Sequence, residues 1–376
     1  MGPLEGVRIV EFAGIGPGPF AGMMLADMGA EILRIDRHND TRPGDPRKDI
    51  PVRGRKSITL NLKKPGAAEA ALRMIDGADA LIEGFRPGVM ERLGLGPDVC
   101  MARNPALVYG RMTGWGQEGM LAQSAGHDIN YISLCGALWT MGEGGRKPMP
   151  PLNLVGDFGG GGMMLAFGMV CALLKAQRTG VGDIVDAAIC DGTATLMAPI
   201  YAAVAKGLWQ NERQSNRLDG AAPYYGTYET KDGKYICIGS LEPQFYALLM
   251  ELLELPADHF GDRFDESKWP QHRQIFADIF AQRDQAEWTE LFEGTDVCYA
   301  PILDLEEAPV HAHNVSREVF VEAHGIRQPA PSPRFTNSPV EMPSPPPAPG
   351  DHNDTALLDW GFDADEISTL KDAGAL

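Results

Sequence analysis

Runs of apolar residues alternate with amphipathic segments over the first third of the chain. Each apolar run has the length of one β-strand, and the segments between the first runs carry apolar residues at helical spacing. The strand candidates are VRIVEF, EILRID, SITLNL, ALIEGF and LVYGRM, and the helix candidates between them are PFAGMMLADMG and PGAAEAALRMIDG. This alternation predicts an α/β fold with a Rossmann-like large domain and a mainly parallel sheet.

The pattern changes after the first third of the chain. Three helices are predicted, at 127–138, 157–177 and 191–209, and the last of them is apolar enough to be buried. A further strand, GDIVDAAI, stands between the second and third helices. After a polar stretch, YYGTYETKDGKYICIG predicts a β-hairpin around Asp232-Gly233. A helix beginning at Pro243 and a strand, VCYAPIL, follow, so the sequence predicts a smaller α+β domain.

The last part of the chain contains a proline-rich tract. Residues 329–349 include nine prolines. Such a tract is extended and semi-rigid and forms no core of its own, so we expect it to strap back across the large domain, ahead of a closing helix pair. The predicted organisation is a large domain at 1–190 and 325–376, a linker at 191–222, a small domain at 223–315 and a return linker at 316–324.

The first strand ends in a glycine-rich turn, GIGPGPF, that is similar to a dinucleotide-binding fingerprint. Gly14 and Gly16 fit its glycine spacing, and Asp36 stands where an acid would bind the ribose hydroxyls. A pyrophosphate, however, is held by backbone N–H groups, and Pro17 and Pro19 have none. A nucleotide-fold scaffold for a different ligand fits these residues better than NAD does.

Charge is distributed unevenly along the chain. Its 376 residues carry a net charge of −18, which argues against nucleic acid or an anionic membrane as a partner. Residues 34–64 nevertheless hold ten of the 33 Lys and Arg residues against four acids. This segment is either a solvated basic loop or a phosphate-binding rim. Arg37, within it, would place a cation where NAD binding disfavours one.

The cysteines and histidines give no sign of a metal site. The six cysteines are scattered without a CxxC pair, which is typical of a reducing compartment, and no secretory signal is recognisable. His311-Ala312-His313 is the only close pair of histidines in the sequence, and it has no further ligands beside it. The sequence therefore predicts a cytoplasmic protein without a metal.

Three ionisable residues stand at predicted helix starts. They are His127 in GHDINYISLCGAL, Asp157 in NLVGDFGGGGMMLAFG and Glu242 in GSLEPQFYALL. For the two acids the plain interpretation is a helix N-cap. A helix N-terminus disfavours a positive imidazole, so a histidine there suits a neutral base, and a nearby carboxylate could orient its ring.

A run of four glycines, 159–162, follows Asp157. Glycine inside a helix costs about 1 kcal/mol per residue relative to alanine, so the run needs a reason. One explanation is close helix–helix packing. The other is the approach of a carbonyl oxygen to bare N–H groups at the helix N-terminus, where a developing oxyanion would be stabilised.

Several motifs together resemble the family III CoA transferases and, within them, the α-methylacyl-CoA racemases. They are GIGPGPFAGMMLADMGAEILRIDR, SITLNLKKPG, EGFRPGVMERLGLGP, GRMTGWGQEG, AGHDINYISLCG, PLNLVGDFGGGG and EPQFYALL. The motifs cover nearly the whole chain, and GHDINY followed by DFGGGG resembles the racemase branch in particular. The resemblance implies an isomerase of lipid metabolism that acts on acyl-CoA thioesters. No separate cofactor is implied, because CoA is part of the substrate.

The resemblance also implies roles for single residues. His127 and Asp157 would be the two catalytic bases, and Glu242 would pair with the histidine. The CoA site of the large domain would be formed by Arg37, Leu60, Asn61, Leu62, Lys63, Gly126, Asp128, Ile129, Asn130 and Tyr131, with Arg86 and Arg92 as further phosphate contacts. The implied assembly is a homodimer of interlocked chains. Each active site would lie between the large domain of one chain and the small domain of the other.

The chemistry implied is inversion of the 2-methyl centre of a 2-methylacyl-CoA by proton removal on one face of an enolate and proton return on the other. Two alternatives stay open. In a true CoA transferase Asp157 would be a nucleophile that forms acyl anhydrides, and a non-catalytic acyl-CoA-binding protein would need neither base. Transferases of the family do not use a histidine in this role, and GSLEPQF stands where they tend to carry a mobile glycine-rich loop. The racemase is therefore favoured.

Overall fold

The computed structural model describes residues 2–38, 43–256 and 258–376. The chain divides into two compact units. The first consists of Met1–Ala137, Pro151–Ala198 and Glu318–Leu376, and the second of Leu138–Pro150 and Pro199–Arg317. Compared with the domain ranges expected from the sequence, residues 138–150 belong to the second unit, and the expected linker 191–222 divides between the first unit (to Ala198) and the second unit (from Pro199).

Within the described residues, six parallel strands form the sheet of the first unit. They are β1 (Arg8–Phe12), β2 (Glu31–Asp36), β3 (Arg55–Thr59), β4 (Ala80–Glu83), β5 (Val108–Thr113) and β6 (Asp183–Ala188). Their order in the sheet is β3-β2-β1-β4-β5-β6. This is the order of a doubly wound dinucleotide-type fold, in which the winding reverses between β1 and β4. The prediction of an α/β fold with a parallel sheet is confirmed.

Burial on both faces of this sheet explains the continuous apolar runs of its strands. In β1, Ile9 faces one buried cluster together with Ile32, whereas the next residue, Val10, faces a second cluster together with Leu33. Successive side chains of a strand point to opposite faces. A strand with a core on both sides therefore needs apolar residues at nearly every position.

Helices cover both faces. They are α1 (Pro17–Asp27), α2 (Ala67–Asp76), α3 (Val89–Arg92), α4 (Pro97–Arg103), α5 (Asp128–Leu134), α6 (Met164–Thr179) and α7 (Ile189–Leu196). Pro17 occupies the start of α1, a favourable place because an N–H there would have no helical acceptor. Leu25 of α1 and Leu165 of α6 lie in one core cluster, and Ile75 of α2 lies in the other.

The helix expected at 157–177 begins in an unusual form. Leu154–Met163 is a π-helix, in which the N–H of Phe158 donates to the carbonyl of Asn153 (3.2 Å), and it continues directly as α6. π-helical segments are rare and are frequently found at functional sites. Because Asp157 lies inside such a segment, it is a candidate functional residue.

The same helix has the composition of a membrane span. In the described part of the chain, one helix, Leu154–Thr179, is long and apolar enough to cross a bilayer by length and composition alone. The core helix of a globular protein can meet this criterion equally well. Leu165, Met169 and Leu173 of this helix are buried in the core cluster against the sheet.

The expectation of one buried helix at 191–209 is wrong. The segment forms two helices, α7 and α8 (Ala198–Ala205), and the break between them stands just before Pro199. Proline removes a helical N–H and clashes with the preceding turn, which accounts for the break. No residue of α8 is buried within the single chain.

Three arginines of the basic segment 34–64 are internal, and each of them is paired with an acid. Arg34 and Arg55 both pair with Glu11 on β1, and Arg53 pairs with Asp27 on α1 at 2.5 Å (Nη2–Oδ2). All three arginines are at most 2% exposed. Moving a charge out of water costs several kcal/mol unless the charge is paired. Neither a solvated loop nor a phosphate rim describes these three, and Arg42 lies outside the described residues.

The second unit combines a small antiparallel sheet with helices around an aromatic core. Its elements after α8 are β7 (Tyr225–Glu229), β8 (Tyr235–Gly239), α9 (Pro243–Leu252), α10 (Trp269–Phe280), α11 (Gln285–Phe292), β9 (Tyr299–Ile302) and α12 (Ala312–Ser316). The strands pair antiparallel in the order β7-β8-β9, and Phe276, Phe280 and Trp288 are buried in the core. The hairpin around Asp232-Gly233 and the helix start at Pro243 are confirmed.

The chain returns to the first unit through its proline-rich tract, as predicted. It forms β10 (Phe320–Ala323), β11 (Ile326–Pro329), α13 (Ala356–Asp359) and α14 (Ala364–Asp372). The N–H of Gly54 donates to the carbonyl of Ser344 (2.9 Å), and the guanidinium of Arg53 donates to the carbonyl of Pro329 (2.8 Å). The tract is thereby fastened beside β3.

The closing helix pair is part of the core. Trp360 and Leu370 lie in the same buried cluster as Val10 of the sheet. The N–H of Asn61 donates to the carbonyl of Ala375 (2.8 Å). This contact with the end of the chain replaces a strand partner, so β3 ends at Thr59 instead of continuing through 62 as the sequence predicts.

Candidate active site

A cavity of about 570 Å³ lies at the carboxyl ends of β1, β4 and β5. Segments 12–19, 82–87 and 112–115 each contribute to its walls. This is the edge at which the strand order reverses, and open α/β sheets bind their ligands there. His127 and Asp157 both line this cavity.

His127 reaches the cavity from the residue that precedes α5. Its backbone is extended (φ −133°, ψ 173°), and its N–H donates to Oδ1 of Asn130 at 3.0 Å. Such a bond from the residue before a helix to the side chain three positions on fixes the first helical turn. The histidine itself is exposed, so its ring is accessible to a ligand in the cavity.

Tyr131 holds the segment just before His127. Its hydroxyl donates to the carbonyl of Gly126, and its ring packs edge-on against Trp115 with 4.7 Å between the ring centroids. A Cβ at Gly126 would lie 2.7 Å from the Tyr131 ring, and one at Gly114 would lie 2.1 Å from it. Both glycines are therefore required by the ring that positions the approach to His127.

Asp157 stands in the first turn of the π-helix. It is not the N-cap, a position that Asn153 occupies, and its Oδ2 accepts from Nδ2 of Asn153 at 3.3 Å. Partial burial is the main cause that raises the pKa of the Asp157 carboxyl; the hydrogen bond from Asn153 lowers it, the negative charge of Asp128 raises it, and the charge of His127 lowers it slightly, so that the pKa is raised on balance. A carboxyl with a raised pKa exchanges protons closer to neutral pH. The cavity thus carries two different proton-transfer groups.

A hydrogen bond joins the starts of α5 and the π-helix. Oδ1 of Asp128 accepts the backbone N–H of Asp157 at 2.7 Å. Gly156 makes room for this contact, because a Cβ there would lie 2.2 Å from the same oxygen. The expectation that the helix start at Asp157 would offer its N–H to an oxyanion is therefore wrong for that N–H, which is already occupied.

The four glycines after Asp157 serve helix packing. A Cβ at Gly160 would lie 2.3 Å from Oγ1 of Thr193 on α7, and one at Gly162 would lie 2.7 Å from the ring of Phe20 on α1. The π-helix therefore approaches both helices at distances that only glycine permits. Of the two explanations for the run, these contacts support close packing.

Comparison with known proteins gives the family of the chain. A sequence model of CoA-transferase family III matches residues 4–353. The chain belongs to CoA-transferase family III. Two proteins named alpha-methylacyl-CoA racemase, from Mus musculus and Homo sapiens, are each 42% identical to it over 98% of this chain and 96% of their own.

A solved structure supports the same fold for this family III enzyme. Rv3272 of Mycobacterium tuberculosis, named a probable fatty acyl-CoA transferase, is 31% identical over 93% of this chain and 96% of its own. Its crystal structure superposes with a TM-score of 0.77 and 26% identity, covering 94% of this chain and 99% of that one. The six-stranded parallel sheet with smaller antiparallel sheets is thus the fold of the family.

The residues that the sequence assigned to CoA fall into two groups in the family III structure. Besides the catalytic candidates, Arg86, Gly126 and Tyr131 line the cavity. The others stand outside its walls: Arg37, Leu60, Asn61, Leu62 and Lys63 just after β2 and β3, and Arg92, Asp128, Ile129 and Asn130 on α3 and α5. Leu60 is buried in the core, so its side chain is not available to a ligand.

A buried ion pair holds the loop that carries Arg86. Glu83, at the end of β4, accepts the N–H of Phe85 (2.7 Å) and pairs with Arg111 of β5 (Nε–Oε1 3.0 Å). Arg111 also pairs with Glu91 of α3 at 2.9 Å. Burial raises the pKa of Glu83. The network fastens this loop to the sheet while the side chain of Arg86 stays exposed.

Glu242 belongs to the second unit. It occupies the N-cap position of α9, as the plain interpretation of this acid expects, but its side chain makes no capping hydrogen bond. The turn before it is fixed by Arg263, whose Nη2 donates to the carbonyl of Leu241 at 2.9 Å. After burial, the charge of Glu242 is the next cause that raises the pKa of Cys298. The Glu242 carboxylate itself is exposed.

Two polar residues beside Asp157 were not recognised from the sequence in the roles that the structure gives them. Asn153 precedes Asp157 by four residues, a spacing that becomes a contact only once the segment is known to be helical. Asp128 was assigned to the CoA loop, whereas its side chain is buried against Gly156. The signal for this contact was the glycine directly before Asp157.

Proposed function

We propose that this family III enzyme is an α-methylacyl-CoA racemase, which inverts the 2-methyl centre of 2-methylacyl-CoA thioesters. The observation that carries the proposal is that an imidazole, His127, and a carboxyl, Asp157, line one cavity at the ligand-binding edge of the sheet. The identity of 42% to two racemases over 98% of the chain supports it.

In the proposed reaction one group removes the α-proton and the other returns a proton to the opposite face. When His127 is the base, the electrons of the C–H bond move into the thioester carbonyl and form an enolate. Protonated Asp157 then donates its proton to the other face of the α-carbon. For the opposite enantiomer, ionised Asp157 removes the proton and the His127 imidazolium donates. Each group contributes on the order of 10²–10⁴-fold to the rate.

The electrostatics of Asp157 suit this dual role. The residue must be protonated in one direction of the reaction and ionised in the other. An aspartate with an ordinary pKa is almost fully ionised at neutral pH. Burial and the charge of Asp128 raise the pKa of Asp157, which increases the protonated fraction and makes both directions accessible.

The CoA part of the substrate is proposed to bind along the same edge of the sheet. The exposed guanidinium groups of Arg37, Arg86 and Arg92 would form charge-assisted hydrogen bonds with its phosphates. The backbone after β3, at Leu60, Asn61, Leu62 and Lys63, and the turn from Gly126 to Tyr131 would hold the nucleotide and the pantetheine arm. The protein otherwise carries a net charge of −18, so such cations are needed to attract a polyanion.

The active unit is proposed to be a homodimer of interlocked chains, in which Glu242 of one chain orients His127 of the other. Exposed apolar helix surfaces support an assembly. On α8, Tyr201 and Val204 are 53% and 49% exposed, and Phe167 of α6 is 69% exposed. Apolar patches of this kind are typical of surfaces that another protein covers.

A CoA transferase is the second candidate, because Rv3272, a relative at 31% identity, is named a probable fatty acyl-CoA transferase. In that reaction the Asp157 carboxylate would attack the thioester carbonyl, release CoA thiolate and form an acyl anhydride. This chemistry gives His127 no part. The higher identity to the racemases and the position of His127 favour proton transfer.

Hydrogen exchange distinguishes the two reactions. We expect the protein to exchange the α-hydrogen of 2-methylacyl-CoA thioesters for deuterium in heavy water, without added metal or nucleotide, and to interconvert the R and S forms. Mass spectrometry across a panel of acyl chain lengths measures the exchange. No exchange with any of them, together with transfer of CoA to a free acid, would replace the racemase by the transferase.

A further inference from the structure

Asp128 stands out because its carboxylate is buried and only half used. The residue is 8% exposed, and its Oδ1 accepts the N–H of Asp157 at 2.7 Å. Its Oδ2 is also buried, yet among the described residues no donor reaches it. Buried polar atoms normally have a partner, and a charged one without a partner is costly. A cost of this kind is expected where a residue serves function more than stability.

The surroundings show which residue Asp128 acts on. It is adjacent to His127 in the chain, and it reaches across to the turn that carries Asp157. Gly156 in that turn would collide with Asp128 if it had a Cβ, at 2.2 Å from Oδ1. The carboxylate thus connects the segments that present the two proton-transfer groups.

We infer that Asp128 is a positioning residue for Asp157, which fixes the turn through its hydrogen bond and places a negative charge beside the Asp157 carboxyl. It does not touch the substrate, because its side chain lies beneath the turn and not on the cavity wall. The inference rests on the proposed function, in which Asp157 must alternate between its protonated and ionised forms.

Among the described residues, few charged or titratable groups lie near Asp157. Those with a charge or a titratable proton are His127, Asp128 and Tyr131 at α5, with Arg86 on the neighbouring loop. The turn before α1 faces Asp157 with Gly16, and α7 contributes Thr193 to the glycine run. His127 and Asn153 favour the ionised form of Asp157, whereas the charge of Asp128 favours the protonated form. Removal of that one charge should therefore lower the pKa of Asp157.

Two substitutions separate the hydrogen bond from the charge. Asp128→Asn keeps an oxygen that can accept the Asp157 N–H but removes the charge. For the enantiomer from which Asp157 removes the proton, the acidic limb of the pH profile of kcat/KM for α-hydrogen exchange reports the Asp157 carboxyl, and this limb should move to lower pH. Asp128→Ala removes both, and a displaced catalytic group costs on the order of 10²-fold. The loss of activity should appear as a lower kcat for α-hydrogen exchange. The dissociation constant for CoA should be unchanged.

Asp79→Asn is the matched control. Asp79 also accepts a backbone N–H through its carboxylate, that of Arg8 at 2.8 Å, at the start of β1 and therefore at the other end of the sheet. The pH profile of Asp79→Asn should coincide with that of the parent. The pH at which the acidic limb lies is set only by folded, active molecules. It can therefore be measured even in an Asp128 variant that is partly unfolded.

A titration without turnover separates this inference from the proposed function. Carbon-13 NMR of protein labelled at its aspartate carboxyls, with the Asp157 signal assigned by its loss in Asp157→Asn, should show Asp157 titrating at lower pH in Asp128→Asn than in the parent. An unmoved signal and an unmoved acidic limb would overturn the role of Asp128. A parent without exchange or racemisation would overturn the proposed function, and the NMR result would still decide the electrostatic role.

Discussion

Arg55 and Glu11 form an ion pair inside the first unit, with 3.0 Å between Nε and Oε2 and both side chains at most 1% exposed. Gly22 of α1 lies against both, since a Cβ there would be 2.4 Å from Nη2 of Arg55 and 2.6 Å from Oε2 of Glu11. Glu11 immediately precedes Phe12, the first residue of the cavity wall. The pair therefore fixes the end of β1 from which the site is built.

Removal of Glu11 should destabilise the protein strongly. Glu11→Ala leaves Arg34 and Arg55 buried without their shared acid, and breaking a buried pair costs about 3–5 kcal/mol. Equilibrium unfolding in urea measures the change. Glu69→Ala is the control, because its pair with Arg103 is on the surface and should contribute less than about 1 kcal/mol. Equal losses in the two variants would contradict the structural role of the buried pair.

The glycine run should tolerate no side chain. Gly160→Ala introduces a Cβ 2.3 Å from Oγ1 of Thr193, and overpacking of this kind costs about 1–3 kcal/mol. Gly18→Ala, in the first turn of α1 with no atom within 4 Å of the new Cβ, should be neutral or should stabilise by up to about 1 kcal/mol. Thermal unfolding of both variants makes the comparison. A stable Gly160→Ala would show that the run has another purpose.

Much of the fold could be predicted because its signals are local. The alternation of apolar residues gave the parallel strands, and Asp232-Gly233 identified the hairpin turn. The pattern failed where tertiary contacts decide the outcome. Nothing in SITLNL shows that Asn61 meets Ala375 and so ends β3 at Thr59. No periodicity distinguishes a π-helix from an α-helix at Leu154–Met163.

The sequence could single out His127 and Asp157, which the structure brings to one cavity, but not the residues that support them. His127 and Asp157 stand at helix starts, which a sequence pattern can show. The interpretation of residues 34–64 failed for the three buried arginines because charge alone does not reveal burial, and Arg53 and Arg55 pair with acids that are distant in the chain. The hydrogen bond between Asp128 and Asp157 was missed for the same reason, since it spans 29 residues.

Asp157 should make the folded protein less stable at neutral pH. Burial raises the pKa of its carboxyl, so the folded state favours the protonated form. Protonation of a group with a raised pKa stabilises the folded state. This stabilisation is fully present below the unfolded-state pKa and is lost as the pH rises through the folded-state pKa. Asp157→Asn should therefore raise the melting temperature at about pH 7, and the gain should shrink as the pH falls towards about 4, the usual pKa of aspartate.

Asp183→Asn should change the melting temperature in the opposite direction and serves as the control. The hydrogen bond from Lys175 lowers the pKa of Asp183, so its stabilising effect is present at neutral pH and is lost as the pH falls through the folded-state pKa. This variant should melt below the parent at about pH 7 and approach it in acid. If both variants shifted in the same direction across the pH range, the environment assigned to Asp157 would be wrong.

Arg37 should contribute to CoA affinity. Hydrogen bonds to charged groups are worth about 1.5–3 kcal/mol, so Arg37→Ala should weaken CoA binding about 10- to 100-fold, and binding to the parent should weaken with added salt. Calorimetric titration with CoA gives both results. Arg103→Ala, which removes an exposed arginine paired with Glu69 and Asp76, is the control. Unchanged CoA affinity in Arg37→Ala, or tight NADH binding by the parent, would restore the dinucleotide interpretation of the turn after β1.

The central claim is that His127 and Asp157 act on opposite faces of one enolate, and deuterium incorporation into pure R and pure S thioesters tests it most directly. Asp157→Asn and His127→Asn should each lose racemisation by on the order of 10²–10⁴-fold. Each should retain slow exchange with one enantiomer only, and the enantiomer should differ between the two variants, because each remaining base returns a proton to the face from which it took one. Glu242→Gln should be affected less than His127→Asn. Retained exchange of the same enantiomer in both variants, or normal racemisation by Asp157→Asn, would contradict the assignment of the two bases.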